Sequence, residues 1–155
     1  MRILVLSDSH GSEFNTRLAL EQQPEAKYVF HLGDGERDLA RVKDSYPNKI
    51  FVQVKGNCDF YSRLPENEIL TVENKKIFLT HGYLEQVKFT YTTLYYKAKE
   101  LPADIALFGH THVPFLDYDD GMYIFNPGSL RDGLYGIIDI TDAGIVCIHN
   151  KVRYE

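Results

Sequence analysis

The sequence predicts an α/β fold in which two sheets pack face to face with helices outside. Three observations carry this. The first third alternates short apolar runs with amphipathic stretches, a β-α-β-α-β order that implies parallel strands and right-handed crossovers. The last third is a series of short strands parted by tight turns, which favours antiparallel pairs. At 155 residues the chain fits one domain, residues 1–155, able to bury roughly 70% of its unfolded surface.

The elements follow in order. Arg2–Leu6 is a short apolar strand. From Ser12 to Gln23, apolar residues at Phe14, Leu18 and Ala19 make a helical pattern, with Ser12 placed to cap it and Pro24 to end it. Tyr28–Leu32 is the second strand. Glu36–Tyr46 is the second helix, with Leu39, Ala40 and Val42 inward and Pro47 closing it. Ile50–Val54 is the third strand and Asn57–Asn67 a loop. Glu68–Val72 and Ile77–Thr80 flank Glu73-Asn74-Lys75-Lys76; Asn74 favours turns, so this is a hairpin. Thr90–Leu101 carries Tyr91, Leu94, Tyr95 and Ala98 at helical spacing. Ile105–Phe108 is a strand. Phe115–Tyr118, Met122–Phe125, Tyr135–Ile140 and Ile145–His149 follow, with turns at Asp120-Gly121 and Ala143-Gly144.

Composition narrows the class. Hydrophobic residues make up 44% and charged residues 25%, ordinary for a soluble globular protein. The longest apolar runs are about six residues, far short of the ~20 that span a bilayer. The apolar start passes at once into Ser7-Asp8-Ser9-His10, with no cleavage pattern, so it reads as a core strand and not a signal peptide. Cys58 and Cys147 form no disulfide framework and suit a cytoplasmic setting. The net charge of −5 argues against a long nucleic acid as partner. Two bound divalent cations would nearly neutralise it and put positive charge inside one cleft. A homodimer is open, as symmetric dimers are common among enzymes of this size.

Five segments concentrate metal-binding residue types: Asp8-Ser9-His10, Gly33-Asp34, Gly56-Asn57, His81-Gly82 and Gly109-His110-Thr111-His112. Each follows an apolar strand, and in α/β sheets ligands bind beyond the carboxyl ends of strands. Asp-x-His or Gly-Asp alone is weak, since the first arises by chance and the second marks turns. Their convergence is the stronger signal. Carboxylate, imidazole and amide donors without thiolates suit Mn²⁺, Fe²⁺, Zn²⁺, Co²⁺ or Ni²⁺ in a reactive centre better than a structural zinc. In an extended segment His110 and His112 lie ~6.5–7 Å apart, a spacing that lets them reach separate ions. Two metals side by side are a device for attacking phosphate esters. Glycines 33, 56, 82 and 109 stand where the chain must turn sharply or come close to the ions. His31 and His149 read as structural, and Tyr83 as a candidate to line the cleft.

These segments, with Gly56-Asn57-Cys58-Asp59 and Asn126-Pro127-Gly128-Ser129, resemble the calcineurin-like metallophosphoesterase superfamily. The short length and the Gly-Asn-Cys-Asp form look like its small prokaryotic YfcE-like phosphodiesterase branch. The resemblance implies a four-layer α/β/β/α sandwich of two mixed sheets. It implies two divalent ions, manganese first, with nickel, iron, zinc or cobalt as alternatives. Asp8, His10, Asp34 and His112 would hold one ion, and Asp34, Asn57, His81 and His110 the other, with a bridging water or hydroxide as nucleophile. Asn57, Cys58, Asp59 and His81 are the candidate catalytic residues.

Two departures from the family pattern matter. Many relatives carry Gly-Asn-His, whose histidine protonates the leaving group; here Cys58 stands there, a less ready donor. That favours small phosphodiesters over alkyl monoesters. Asp59 offers an acid, an orienter or a plain loop residue. Tyr83 replaces an imidazole common in the family's His-Gly-His. Arg131, after the Asn-Pro-Gly turn, is either a phosphate partner or an exposed structural residue. The rival readings are a phosphomonoesterase and a protein-interaction scaffold on the same fold, as in the phosphoesterase-like subunit of retromer.

Overall fold

The computed structural model describes residues 1–155, and its architecture follows from the period-2 alternation of its strands. In β1 (Arg2–Leu6), Ile3 and Val5 face one way while Leu4 and Leu6 face the other, and all four are fully buried. A strand buried on both faces needs a layer on each side. Ile3 and Val5 join Phe30, Ile77, Leu79, Ile105, Leu107 and Phe125 in the core between the sheets. Leu4 and Leu6 join Ala19, Leu20 and Leu39 under the helices. The third cluster, with Phe78, Leu94, Ala98, Ala106 and Phe108, lies under the remaining helix. Three cores between four layers make the α/β/β/α sandwich.

The first sheet runs β10-β9-β1-β2-β3. Here β2 is Tyr28–His31, β3 Ile50–Gln53, β9 Leu134–Thr141 and β10 Gly144–Lys151. Helix α1 (Glu13–Gln22) connects β1 to β2 and α2 (Glu36–Val42) connects β2 to β3, so β1, β2 and β3 are parallel. The second sheet runs β4-β5-β6-β8-β7, with β4 Asn67–Val72, β5 Lys75–Thr80, β6 Ile105–Leu107, β7 Phe115–Asp119 and β8 Met122–Asn126. Helix α3 (Thr92–Glu100) lies between β5 and β6 in the chain. No helix is long and apolar enough to cross a membrane.

Some expectations change. The later strands are not simply antiparallel, since β5, β6 and β8 run parallel. The β9–β10 hairpin returns to the first sheet and pairs antiparallel with β1. Helix α1 is capped by Ser12, which accepts the Asn15 N–H, but its buried face is Asn15, Thr16, Ala19 and Leu20. Phe14 is exposed and stacks on Tyr154 instead. Helix α2 stops at Val42 and tightens into a 3₁₀ turn over Lys43–Ser45, and Ala40 faces solvent. The β4–β5 turn needs only Glu73 and Asn74, both at positive φ, the type I′ geometry of a two-residue hairpin.

Candidate metal centre

All five ligand segments meet at the carboxyl edges of β1, β2, β3, β5 and β6, where the two sheets adjoin. Backbone hydrogen bonds stitch the segments together past the strand ends: Asp8 N to Gly33 O (2.9 Å), His10 N to Asp34 O (3.0 Å) and Gly109 N to His81 O (3.0 Å). Asp8, His10, Asp34, His110 and His112 all have positive φ. That conformation costs non-glycine residues roughly 1 kcal/mol or more each, and such strain concentrates at functional sites. Gly56 and Gly109 permit the crowding. A Cβ at 56 would stand 2.1 Å from Asp34 Oδ1, and one at 109 would stand 2.0 Å from Ser7 Oγ.

The donors form two clusters. Asp8, His10 and His112 make one; Asp34, His81 and His110 make the other. In the first, His10 Nε2 lies 3.3 Å from Asp8 Oδ1 and 3.2 Å from His112 Nε2, and His112 Nε2 lies 3.2 Å from Asp8 Oδ1. In the second, His81 Nε2 lies 3.2 Å from Asp34 Oδ2 and 3.0 Å from Asn57 Oδ1. Atoms bound to one ion at about 2.1 Å sit roughly 3.0–3.4 Å apart, so both clusters have the spacing of a coordination shell. Asp34 Oδ2 is also 3.6 Å from His10 Nε2, which puts one carboxylate oxygen between the clusters. The donor set therefore fits two divalent ions sharing Asp34.

Three of the donors are aimed by a partner that occupies their other atom. Asp8 Oδ2 accepts from Ser7 Oγ and the His110 N–H, leaving Oδ1 for a metal. Asp34 Oδ1 accepts from the Cys58 N–H at 2.7 Å, leaving Oδ2. His81 Nδ1 donates to Leu32 O at 2.7 Å, which presents the Nε2 lone pair. Behind the site, buried Ser129 Oγ donates to Asp8 O, and Asn126 Nδ2 donates to Gly109 O and Thr111 Oγ1. The Asn126–Ser129 turn is thus a strut joining two ligand loops. His149, whose ring donates to Asn126 O, supports the strut. Residue pattern did not single out Ser7; its one signal was a short hydroxyl beside a candidate carboxylate.

The electrostatics follow from this packing. Burial pushes the Asp8 carboxyl up, but hydrogen bonds from His10 and His112 outweigh it and hold the group well below the usual range. Asp34 is likewise lowered, burial being outweighed by His81 and the Cys58 N–H. His10 is raised by Asp8. His81 is raised too, Asp34 and Asp8 overcoming its burial. Burial, then the neighbouring His81, pushes His110 down to about 4, so its ring stays neutral and able to ligate.

The remaining predicted residues take distinct places. Cys58 is exposed, its thiol in reach of His10 and Asp34, and burial and then the Asp34 charge push its pKa up. Of the three places offered to Asp59 above, the hydrogen bonds fit the orienter. Its carboxylate accepts four backbone N–H groups, those of Asp34, Gly35, Glu36 and Gly56, so it orients the Asp34 loop. Tyr83 meets His110 edge-to-face at 5.5 Å and lines the cleft. His31 is buried against Ser9 and no part of either cluster. Arg131 is exposed, and close enough to His10 to oppose its protonation.

Comparisons with known proteins agree with the geometry. A probable metallophosphoesterase of Bacillus subtilis, YsnB, is 37% identical over 133 residues, covering 84% of this chain and 76% of that protein. The phosphodiesterase YfcE of Escherichia coli K12 is 27% identical, covering 97% of this chain and 94% of that one. A crystal structure of a conserved uncharacterized protein of Streptococcus pneumoniae, described as a predicted phosphoesterase, superposes with a TM-score of 0.83 at 32% identity. It covers 97% of this chain and 88% of that one. The model of the calcineurin-like phosphoesterase superfamily domain matches residues 1–142, which include every ligand segment, and the chain belongs to that superfamily.

Proposed function

We propose that the chain is a metal-dependent phosphodiesterase acting on small phosphodiesters. The observation that carries this is the donor set: seven competent donors in two clusters around one carboxylate oxygen. Two divalent ions held there, manganese first, would supply Lewis acidity and an activated water for in-line attack at phosphorus. The protein contributes only two carboxylates, Asp8 and Asp34, to this set, so the loaded centre stays positive and attracts an anionic diester. Asn57, a neutral donor, preserves that excess. His81, fixed by Leu32 O, keeps one geometry as substrate binds.

Cys58 sets the preference. A thiol is a weaker proton donor than an imidazolium, so substrates whose leaving group departs with little protonation are favoured. The scaffold reading has nothing in the ligand set to support it, as every position holds a working donor. The free, exposed Cys58 supports a reducing, cytoplasmic setting.

The test is a hydrolysis panel on metal-stripped protein re-supplied with Mn²⁺, Ni²⁺, Zn²⁺ or Mg²⁺. Activity returns on aryl diesters, with alkyl monoesters slower by about tenfold or more. Inactivity with every metal would favour the scaffold instead, and fast alkyl monoester turnover would overturn the diester preference.

A further inference from the structure

The metal centre opens on two unlike clefts. On the His10 side a cavity of about 480 Å³ is bordered by Arg37, Arg41, Cys58 and Phe60. On the His110 side a second, of about 630 Å³, is bordered by Asn57, Tyr83, Leu84, Lys88 and Phe89. A phosphodiester has two arms, and a diester held at the donor set between the two clefts would have one arm beside each.

The first cleft offers two arginines to an anion. Arg37 makes no ion pair, and Arg41 makes one, 3.5 Å from Glu13, a carboxylate shared with Arg17 at 2.9 Å. The acidic neighbours are mostly committed. Asp38 accepts from Ser9 Oγ and the Gly11 N–H, and Asp59 from four backbone amides. Glu36 is then the one lining carboxylate with no hydrogen-bond donor on it, and it stands beside two guanidinium groups, each able to grip a phosphate through two N–H bonds.

The second cleft is built for a flat apolar group. Phe89 is 87% exposed, Leu84 56% and Tyr83 54%. Large apolar side chains left to water beside a reactive centre mark a contact surface. Aromatic faces take nucleobases by stacking, whatever the base.

We propose that the site takes nucleotide diesters with unlike arms: one bearing a further phosphate, held by Arg37 and Arg41, the other a nucleobase, stacked on Phe89 and Tyr83. This rests on the phosphodiesterase reading and narrows it. The simplest such molecule is a 5′-phosphorylated dinucleotide, whose first nucleoside lies along Phe60. Water adds across one P–O bond of the linking diester, giving a phosphate monoester and an alcohol, and the leaving oxygen takes a proton.

The test pairs binding with turnover. Two dithymidine analogues with a non-hydrolysable methylenephosphonate link, one 5′-phosphorylated and one not, are titrated by calorimetry into the Mn²⁺-loaded protein. The phosphate tightens binding to the wild type by about tenfold to a hundredfold, the range of a charge-assisted pair. Arg37→Ala/Arg41→Ala abolishes that difference, Arg37→Lys/Arg41→Lys keeps part of it, and Phe89→Ala weakens both analogues alike. Equal affinity of the two analogues for the wild type would overturn the proposal, as would a preference that survives the double alanine variant. Turnover of bis(4-nitrophenyl) phosphate by the wild type reads the parent activity separately. Its absence would sink the phosphodiesterase reading, while the binding difference would still decide the two-armed cleft.

Discussion

Asp59 gathers the N–H groups of Asp34, Gly35, Glu36 and Gly56, so its substitution has a signature that a proton donor's would not. Asp59→Ala leaves four donors without their charged acceptor. The expected cost is about 2–3 kcal/mol of stability, read by thermal unfolding, with weaker metal binding. Lost turnover with stability and metal affinity intact would make Asp59 an acid after all. Its neighbour holds Asp34 through the backbone N–H, a bond that survives a change of side chain. Cys58→His therefore restores an imidazole without disturbing the bridge, and alkyl monoester turnover should rise by about tenfold or more. An unchanged rate would mean that access sets the preference. At this scale the identities of the donors were legible from residue type and order. Their left-handed backbone was not, because Asp8, His10, Asp34, His110 and His112 adopt a conformation that local propensity disfavours and only the assembled loops enforce.

At the level of elements, β1 is the pivot, pairing parallel with β2 on one side and antiparallel with β9 on the other. Arg2 fixes the second register through a two-point contact with Asp139, Nε to Oδ1 at 2.9 Å and Nη2 to Oδ2 at 3.0 Å. The guanidinium holds the Asp139 carboxyl below its usual range. The stability this contributes is present above the unfolded pKa near 3.9 and is lost as pH falls through the lower folded value. Both side chains are about a third exposed, so the pair is worth less than ~1 kcal/mol. Asp139→Asn should be slightly less stable than the wild type at pH 7, the gap closing toward pH 3 in denaturant melts. A gap constant from pH 7 to pH 3 would show that the ion pair is not its source. The parallel β1, β2 and β3 were legible because α1 and α2 separate them in the chain. The return of β9 and β10 to the first sheet was not, since their alternating pattern fits an edge of either sheet and tertiary packing chooses. Phe14 misled for a related reason: the buried face of α1 uses Asn15 and Thr16, whose polar groups bond to Leu130 O, Arg131 O and Ser12 O.

Across the whole molecule, the first sheet supplies Asp8, His10, Asp34 and Asn57, and the second supplies His81, His110 and His112. Metal binding thus joins the two sheets at one edge of their shared core. Metal at a hundred times its dissociation constant should add about 2.7 kcal/mol to stability, seen as a higher Tm on loading and reversed by a chelator. A Tm indifferent to metal would mean that the clusters do not bind it in the folded state. The convergence of the segments was legible from their places at strand ends, and the resemblance implied a shared Asp34; that its Oδ2 is the oxygen lying between the clusters became visible only in three dimensions. In the proposed reaction two ions sharing Asp34 act together on a diester. The most direct test is a titration of metal-stripped protein with Mn²⁺, following bis(4-nitrophenyl) phosphate hydrolysis against bound equivalents. Activity should climb as the second equivalent binds, saturate at two and be lost in Asp34→Ala. Full activity at one equivalent, or an active Asp34→Ala, would contradict that joint action.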